Sequence, residues 1–181
     1  MAAHFQDAMS VQEAELSMRR RLGTSEQDML ITQSNLAMTY GQLGQHERAL
    51  QLKRDVHAGR LKLDGEEDEG TLKAANNYAS SLGKLQRFEE AKSVLRKTMP
   101  VARRVLGESD DATLRMRWCY AKALYLDPGA TLDDLREAVA TLEDVERIAR
   151  RVLGGAHPTT EGTEHDLRQA RAVLRFREAQ V

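Results

Sequence analysis

Two stretches decide the fold of this chain: LAMTYGQLGQHERAL at residues 36–50 and YASSLGKLQRFEEAKSVL at residues 78–95. Offset by 42 residues they superpose, with Leu36-Ala37 on Tyr78-Ala79, Tyr40 on Leu82 and Ala49 on Ala91. A third copy follows. Cys119-Tyr120-Ala121 takes the place of Asn35-Leu36-Ala37 and Asn77-Tyr78-Ala79, Leu124 that of Tyr40 and Leu82, and Ala138, 47 residues after Ala91, that of Ala49 and Ala91. Gly23, Gly65 and Gly107 keep the 42-residue interval and Gly154 follows after 47. Three of these glycines close basic segments, MRRRLG, ARRVLG and ARRVLG. Cations before a glycine suit a helix C-terminus, where they face the exposed carbonyls while glycine takes the left-handed turn that ends the helix.

Each copy reads as two helices. In the second, helix A spans roughly residues 71–83, Gln86-Arg87 turns the chain, and helix B spans about residues 88–105. Phe88, Ala91, Val94, Leu95, Thr98 and Met99 recur at threes and fours, the spacing of a buried stripe. The alanines at 37, 79 and 121, and at 49, 91 and 138, mark where paired helices approach closely. The five extra residues of the third copy fall between Ala121 and Ala138. Asp127-Pro128-Gly129-Ala130-Thr131 is a turn that ends in a helix N-cap at Thr131. Before the first copy, residues 5–22 read as a lone helix B, with Ser10 and Glu13 either spaced for a capping box or lying inside a longer helix. After the third, residues 158–179 read as a lone, polar helix A carrying Arg168, Arg171 and Arg175, as the end of a stack requires. The expected organisation is a single domain: residues 1–22 a half-repeat, 23–64 repeat 1, 65–106 repeat 2, 107–153 repeat 3 with its insertion near 127–131, and 154–181 a capping helix.

The repeats resemble tetratricopeptide repeats: small residues at fixed places in both helices, a Tyr or Leu on helix A, and a G-x-[FY]-x-x-A-like turn into helix B. The period of 42 rather than 34, the start Asn76-Asn77-Tyr78-Ala79 and the linker Leu153-Gly154-Gly155-Ala156-His157-Pro158-Thr159-Thr160 are similar to the kinesin light chain variety. The resemblance implies an all-α fold, a right-handed superhelical solenoid of antiparallel helix pairs, with the A helices lining a concave groove. It also implies a protein- or peptide-binding adaptor in the cytoplasm rather than an enzyme. Kinesin light chain repeats read short acidic, tryptophan-containing peptides in that groove, which here carries over onto Lys73, Asn76 and Arg115.

Composition is consistent with this. Of 181 residues 41% are hydrophobic, 30% charged and only 4% aromatic; Lys+Arg total 27 against 28 Asp+Glu, a net charge of −1. That balance argues against a nucleic-acid partner, and a mean hydropathy of −0.57 without a long apolar run argues against a membrane span. The N-terminal residues have no signal-peptide pattern, and one cysteine, Cys119, fits a reducing compartment. His4, His46, His57, His157 and His165 form no metal or HExxH spacing. Cys119 has no histidine within a turn to activate it, and no phosphate-binding glycine loop occurs. No catalytic residue, cofactor or metal is expected. The acidic run Gly65–Gly70 reads as a solvated loop that sets negative charge ahead of a helix.

The groove face of the A helices should present Ile31, Ser34, Met38, Gly41 and Gln42, then Lys73, Asn76, Ser80, Gly83 and Lys84, then Arg115, Trp118, Lys122, Tyr125 and Leu126. Four of these fifteen are basic and none is acidic, which favours an acidic peptide. Trp118 and Tyr125 are candidate apolar anchors, the alternative being that Trp118 fills the core and the lysines solvate a helix, with Asn35, Asn76 and Asn77 available to a peptide backbone. The other reading of the same residues is a structural or self-associating scaffold segment of a larger signalling or transport protein, monomeric or weakly self-associating.

Overall fold

The computed structural model describes residues 2–180, with side chains from Phe5 onward, so His4 lies outside the described side chains. Among these residues there are eight helices and no strand: α1 (Ala2–Leu22), α2 (Glu26–Gln42), α3 (His46–Leu63), α4 (Glu69–Lys84), α5 (Phe88–Leu106), α6 (Asp111–Tyr125), α7 (Leu132–Val152) and α8 (Pro158–Glu178). The fold is an all-α helical repeat. It divides into two compact units, Met1–Leu85 and Gln86–Val181, the division falling between α4 and α5. In the first, α1 packs on α2, α2 on α3 and α3 on α4; in the second, α5 packs on α6, α6 on α7, and α8 on both α7 and α6.

The recurrent alanines are core residues. Ala37, Ala79, Ala91, Ala121 and Ala138 are fully buried and Ala49 nearly so. The absence of a long side chain at these points lets helix axes approach, and larger residues fill the space on either side. In the first unit Met9 and Leu16 of α1 meet Leu36 and Tyr40 of α2 and Ala49 of α3, while Leu30, Val56 and Ala74 join α2, α3 and α4. In the second unit Leu114 of α6 packs against Val145, Ile148 and Ala149 of α7.

The helix ends follow local chemistry. Asp68, in the acidic run, caps α4 by accepting from the Thr71 backbone N–H at 2.8 Å. Thr131 forms a full capping box with Asp134 at the start of α7. His157 begins α8, its Nδ1 accepting from the Thr159 N–H at 3.2 Å ahead of Pro158 in the first turn. The linker histidine is therefore a cap. Gly107 and Gly154 hold φ of 93° and 90°, a region that a side chain with a Cβ disfavours. Of the two readings of Ser10, the structure has the helix-interior one: Ser10 lies inside α1, which already begins at Ala2, and its hydroxyl donates back to the Gln6 carbonyl at 3.2 Å. A Ser-x-x-Glu spacing recurs by chance in any polar helix, and nothing breaks this one before Ser10.

Two buried cations secure the second unit. Lys92 of α5, 4% exposed, pairs with Glu89 and reaches Asp127 in the inserted turn at 2.9 Å. Asp127 in turn accepts from the Gly129 N–H at 2.9 Å, so the insertion is a fixed turn. Arg117 of α6, 6% exposed, is held by Asp144 of α7 and Glu108. The Arg117 hydrogen bond, against the opposing effect of burial, keeps the Asp144 carboxyl below the usual aspartate range. Asp144→Asn should cost about 2 kcal/mol in urea denaturation, less than is usual for opening a buried pair because Glu108 remains beside Arg117. The Asp144 pKa is lowered by folding, so its contribution is present above about pH 4 and is lost as the pH falls through the folded-state value. The variant should accordingly lose less stability than the wild type between about pH 5 and about pH 2.

Candidate functional site

Three helices of the first unit enclose a cleft of about 400 Å³. Helix α2 contributes Ser34, Met38 and Gly41, and α3 contributes Lys53, Val56 and Arg60. Helix α4 contributes Lys73, Ala74, Asn77 and Lys84. Intervals of three, four and seven put Ser34, Met38 and Gly41, then Lys53, Val56 and Arg60, then Lys73, Asn77 and Lys84 each on one helical face, with Ala74 beside Lys73, and the small Ser34 and Gly41 leave the space open.

The wall is cationic. Lys53, Arg60, Lys73 and Lys84 border the cleft and no carboxylate-bearing residue does. Arg60 is held by Asp64 at 3.3 Å and Lys73 by Glu69, both one helical turn along their own helices. The ammonium of Lys53 donates to Ser81 Oγ at 2.7 Å. Burial, and then the charge of Lys84, pull Lys53 below the ordinary lysine range. Beneath the cleft His57 of α3 stacks on Tyr78 of α4 with ring centroids 6.1 Å apart, and burial lowers its pKa. That contact joins two helices and leaves the imidazole no role at the cleft.

Of the residues expected on the groove, Ser34, Met38, Gly41, Gln42, Lys73, Asn77 and Lys84 line this cleft. Asn35 is exposed on α2 outside it. Asn76 is half-buried, and its Oδ1 is enclosed without a hydrogen-bond partner. Lys53 and Arg60 escape a search confined to the A helices, since they stand on a B helix. Their signal is nevertheless in the sequence: Lys53, Val56 and Arg60 correspond, 89 residues on, to Leu142, Val145 and Ala149, two of the three apolar positions having become cationic.

Arg115, Trp118, Lys122 and Tyr125 belong to the second unit, where the equivalent space is filled. Trp118, Lys122 and Tyr125 lie 84 residues after Ser34, Met38 and Gly41. They converge on one carboxylate of α8: the Trp118 indole N–H donates to Asp166 at 2.6 Å, the Tyr125 hydroxyl donates to it at 2.8 Å, and Lys122 Nζ lies 3.2 Å away. Asp166 is 4% exposed and Tyr125 also 4%. Burial first, and then Asp166, push the Tyr125 phenol far above its usual range. Lys122 also stands 5.7 Å from the centre of the Trp118 ring, which itself packs on the core cluster of Leu114, Val145, Ile148 and Ala149. Both expected anchors thus belong to the packing of α6 against α8. The cause is α8 itself: Gly162 leaves room for the indole, and Asp166 satisfies the polar edges that a groove would have offered a peptide. Arg115 faces outward and pairs with Asp111 at 3.7 Å.

A tetratricopeptide repeat model matches residues 30–67 and 71–111, spanning α2 to the start of α6. These two segments carry the tetratricopeptide repeat pattern. Their fold is of the kinesin light chain-like kind. Solved TPR-like repeats named for a kinesin light chain of Podosopora anserina are similar over 98% of this chain and 82% of that one, with a TM-score of 0.76 and 23% identity. A single-residue variant of them gives 0.78 and 24% over the same shares. BtubC (BKLC) of P. vanneervenii gives 0.64 and 16%, covering 95% of this chain and 75% of that one. No curated protein matches the sequence. Tetratricopeptide repeats generally mediate contacts between proteins, and such folds are typically non-enzymatic. Among the described residues no group of three or more His, Cys, Asp or Glu side chains could hold a metal ion, and no helix is long and apolar enough to cross a membrane.

Two helical glycines, one on each unit, give opposite signs to the same substitution. A Cβ on Gly162 would collide with the Trp118 ring, whereas a Cβ on Gly83 of α4 would meet nothing within 4 Å. Gly83→Ala should raise stability by about 0.5–1 kcal/mol through the lost backbone freedom of the unfolded chain. Gly162→Ala should lower it by about 1–3 kcal/mol through forced repacking of the indole. Thermal melts followed by circular dichroism, with Trp118 fluorescence reporting the second unit, distinguish the two.

Proposed function

We propose that these repeats bind a peptide segment of a protein partner, rich in Asp or Glu, in the cleft between α2, α3 and α4. The observation that carries this reading is the lining itself: four cations from two helices, no carboxylate among them, beside the apolar surfaces of Met38, Val56 and Ala74. Low-dielectric walls concentrate the field of such a set and favour an anionic chain over a neutral one. Room for a side chain of the partner comes from Ser34 and Gly41, the places that Trp118 and Tyr125 occupy in the second unit. An aromatic residue beside the acidic ones would find a ring-sized vacancy with Asn77 at its edge, where Asp166 meets the indole of Trp118. The exposed amide of Asn77 can donate to or accept from such a segment.

The test is fluorescence anisotropy with a labelled dodecapeptide in which a tryptophan is flanked by Asp and Glu, against the same peptide with Lys in their place. Binding of the acidic peptide should weaken about ten-fold or more in Lys53→Glu/Lys84→Glu, with helicity unchanged, and should fall as salt is raised. Equal affinity for the two peptides, or no effect of the double substitution, refutes the cleft as the site.

A further inference from the structure

The four cations of the cleft are not alike. Arg60 and Lys73 each have a carboxylate on their own helix, Asp64 and Glu69. Among the described residues Lys53 and Lys84 have none within ion-pair distance; the neutral hydroxyl of Ser81 holds the Lys53 ammonium. Ser81 is 5% exposed and lies three residues before Lys84 on α4. The two lysines and Ser81 also border a smaller hollow beside the cleft, with Gly41, His46 and Ala49. Two lysine side chains, one of them half-buried, therefore border the same cleft and its side hollow with no carboxylate of the described residues within ion-pair distance. The consequence is visible in Lys53, whose protonated form is disfavoured by burial and by Lys84.

The fold does not require this pair. The equivalent positions of the second unit are Leu142, fully buried, and Val173. A single carboxylate would offset one of the two charges. A phosphoryl dianion would offset both, and its three oxygens could accept from the two ammonium groups and from the Ser81 hydroxyl, whose hydrogen remains free to donate while its oxygen accepts from Lys53. Lysine suits this role as a compact point charge on a flexible stem.

We propose that Lys53, Lys84 and Ser81 form a phosphoryl-binding site, so that the acidic segment taken by the cleft is one carrying phosphoserine or phosphothreonine. This rests on the peptide reading of the cleft and adds a modification-dependent partner to it.

Three labelled dodecapeptides that differ at one position test it: the acidic peptide above with glutamate, serine or phosphoserine beside the tryptophan. At pH 7.5 the phosphoserine peptide should bind about ten-fold more tightly than the glutamate peptide. That advantage should vanish in Lys53→Leu, which installs the residue type of the second unit, and in Lys84→Met. It should also narrow at pH 5.5, below the second phosphate pKa of about 6, where the monoanion dominates. Circular dichroism melts of both variants establish that they are folded. Equal binding of the phosphoserine and glutamate peptides overturns the phosphoryl site while leaving the cleft a peptide site. An advantage that survives both lysine substitutions overturns the site as well. Failure of all three peptides to bind overturns the peptide reading, and the phosphopeptide with it. Displacement of the phosphoserine peptide by inorganic phosphate at the peptide's own dissociation constant makes this a free-phosphate site and refutes recognition of a modified partner.

Discussion

Close approach of paired helices at alanine is the constraint on which the rest of this structure depends. Ala37, Ala49, Ala79, Ala91, Ala121 and Ala138 are all buried, and a small side chain at a helix contact lets the axes approach where a larger one would hold them apart. Once the backbones are held that near, the remaining positions of each helix face acquire fixed partners. Leu36 and Tyr40 must meet α1 and α3, and Leu114 must meet α7. The low aromatic content follows from the same constraint, because helices packed this closely leave little room for large rings. The single tryptophan is accommodated only where a glycine on a neighbouring helix makes space for it.

The same backbone arrangement is used twice with different fillings. Between α6, α7 and α8 the space is occupied by Trp118, lined by Val145 and Ala149 and closed by the carboxylate of Asp166. Between α2, α3 and α4 the corresponding residues are Ser34, Val56, Arg60 and Asn77, and the space is a cleft. Substitution of small and cationic side chains for a ring and its apolar wall removes packing energy from the first unit and leaves charge in its place. Uncompensated charge near an apolar wall is costly in isolation and becomes favourable when an anion arrives. That exchange of local stability for ligand affinity is the physical basis for assigning a binding role to one copy of the site and a structural role to the other.

Electrostatics separate these roles further. Lys92 and Arg117 are the most deeply buried cations, and each is matched by two carboxylates. Lys53 is half-buried and is matched by a hydroxyl alone. A residue type that is almost always paired when removed from water is here left to a neutral partner. Whole-chain neutrality conceals this, since a net charge of −1 averages carboxylate-matched buried cations in the second unit against a carboxylate-free cleft in the first.

The helical pairs, their boundaries to within a few residues, the buried alanines and the class of repeat were legible in the sequence. They depend on local spacing, on residues before glycine and on a period that a single chain repeats to itself. The two lysines of α4 were legible for the same reason, as Lys73 and Lys84 were placed on one helical stripe, although Asn77 rather than the Asn76 of that stripe lines the cleft. Lys53 and Arg60 were legible only as cations where the third copy has Leu142 and Ala149; that they border a cleft depends on how α3 turns toward α4. The fate of Trp118 was not legible: its spacing marks a face, but only the packing of α8 brings Gly162 and Asp166 to that face and converts an apparent anchor into core. Periodicity specifies which side chains share a surface. What covers that surface is settled by contacts between residues some 48 positions apart, and those exist only once the helices have packed.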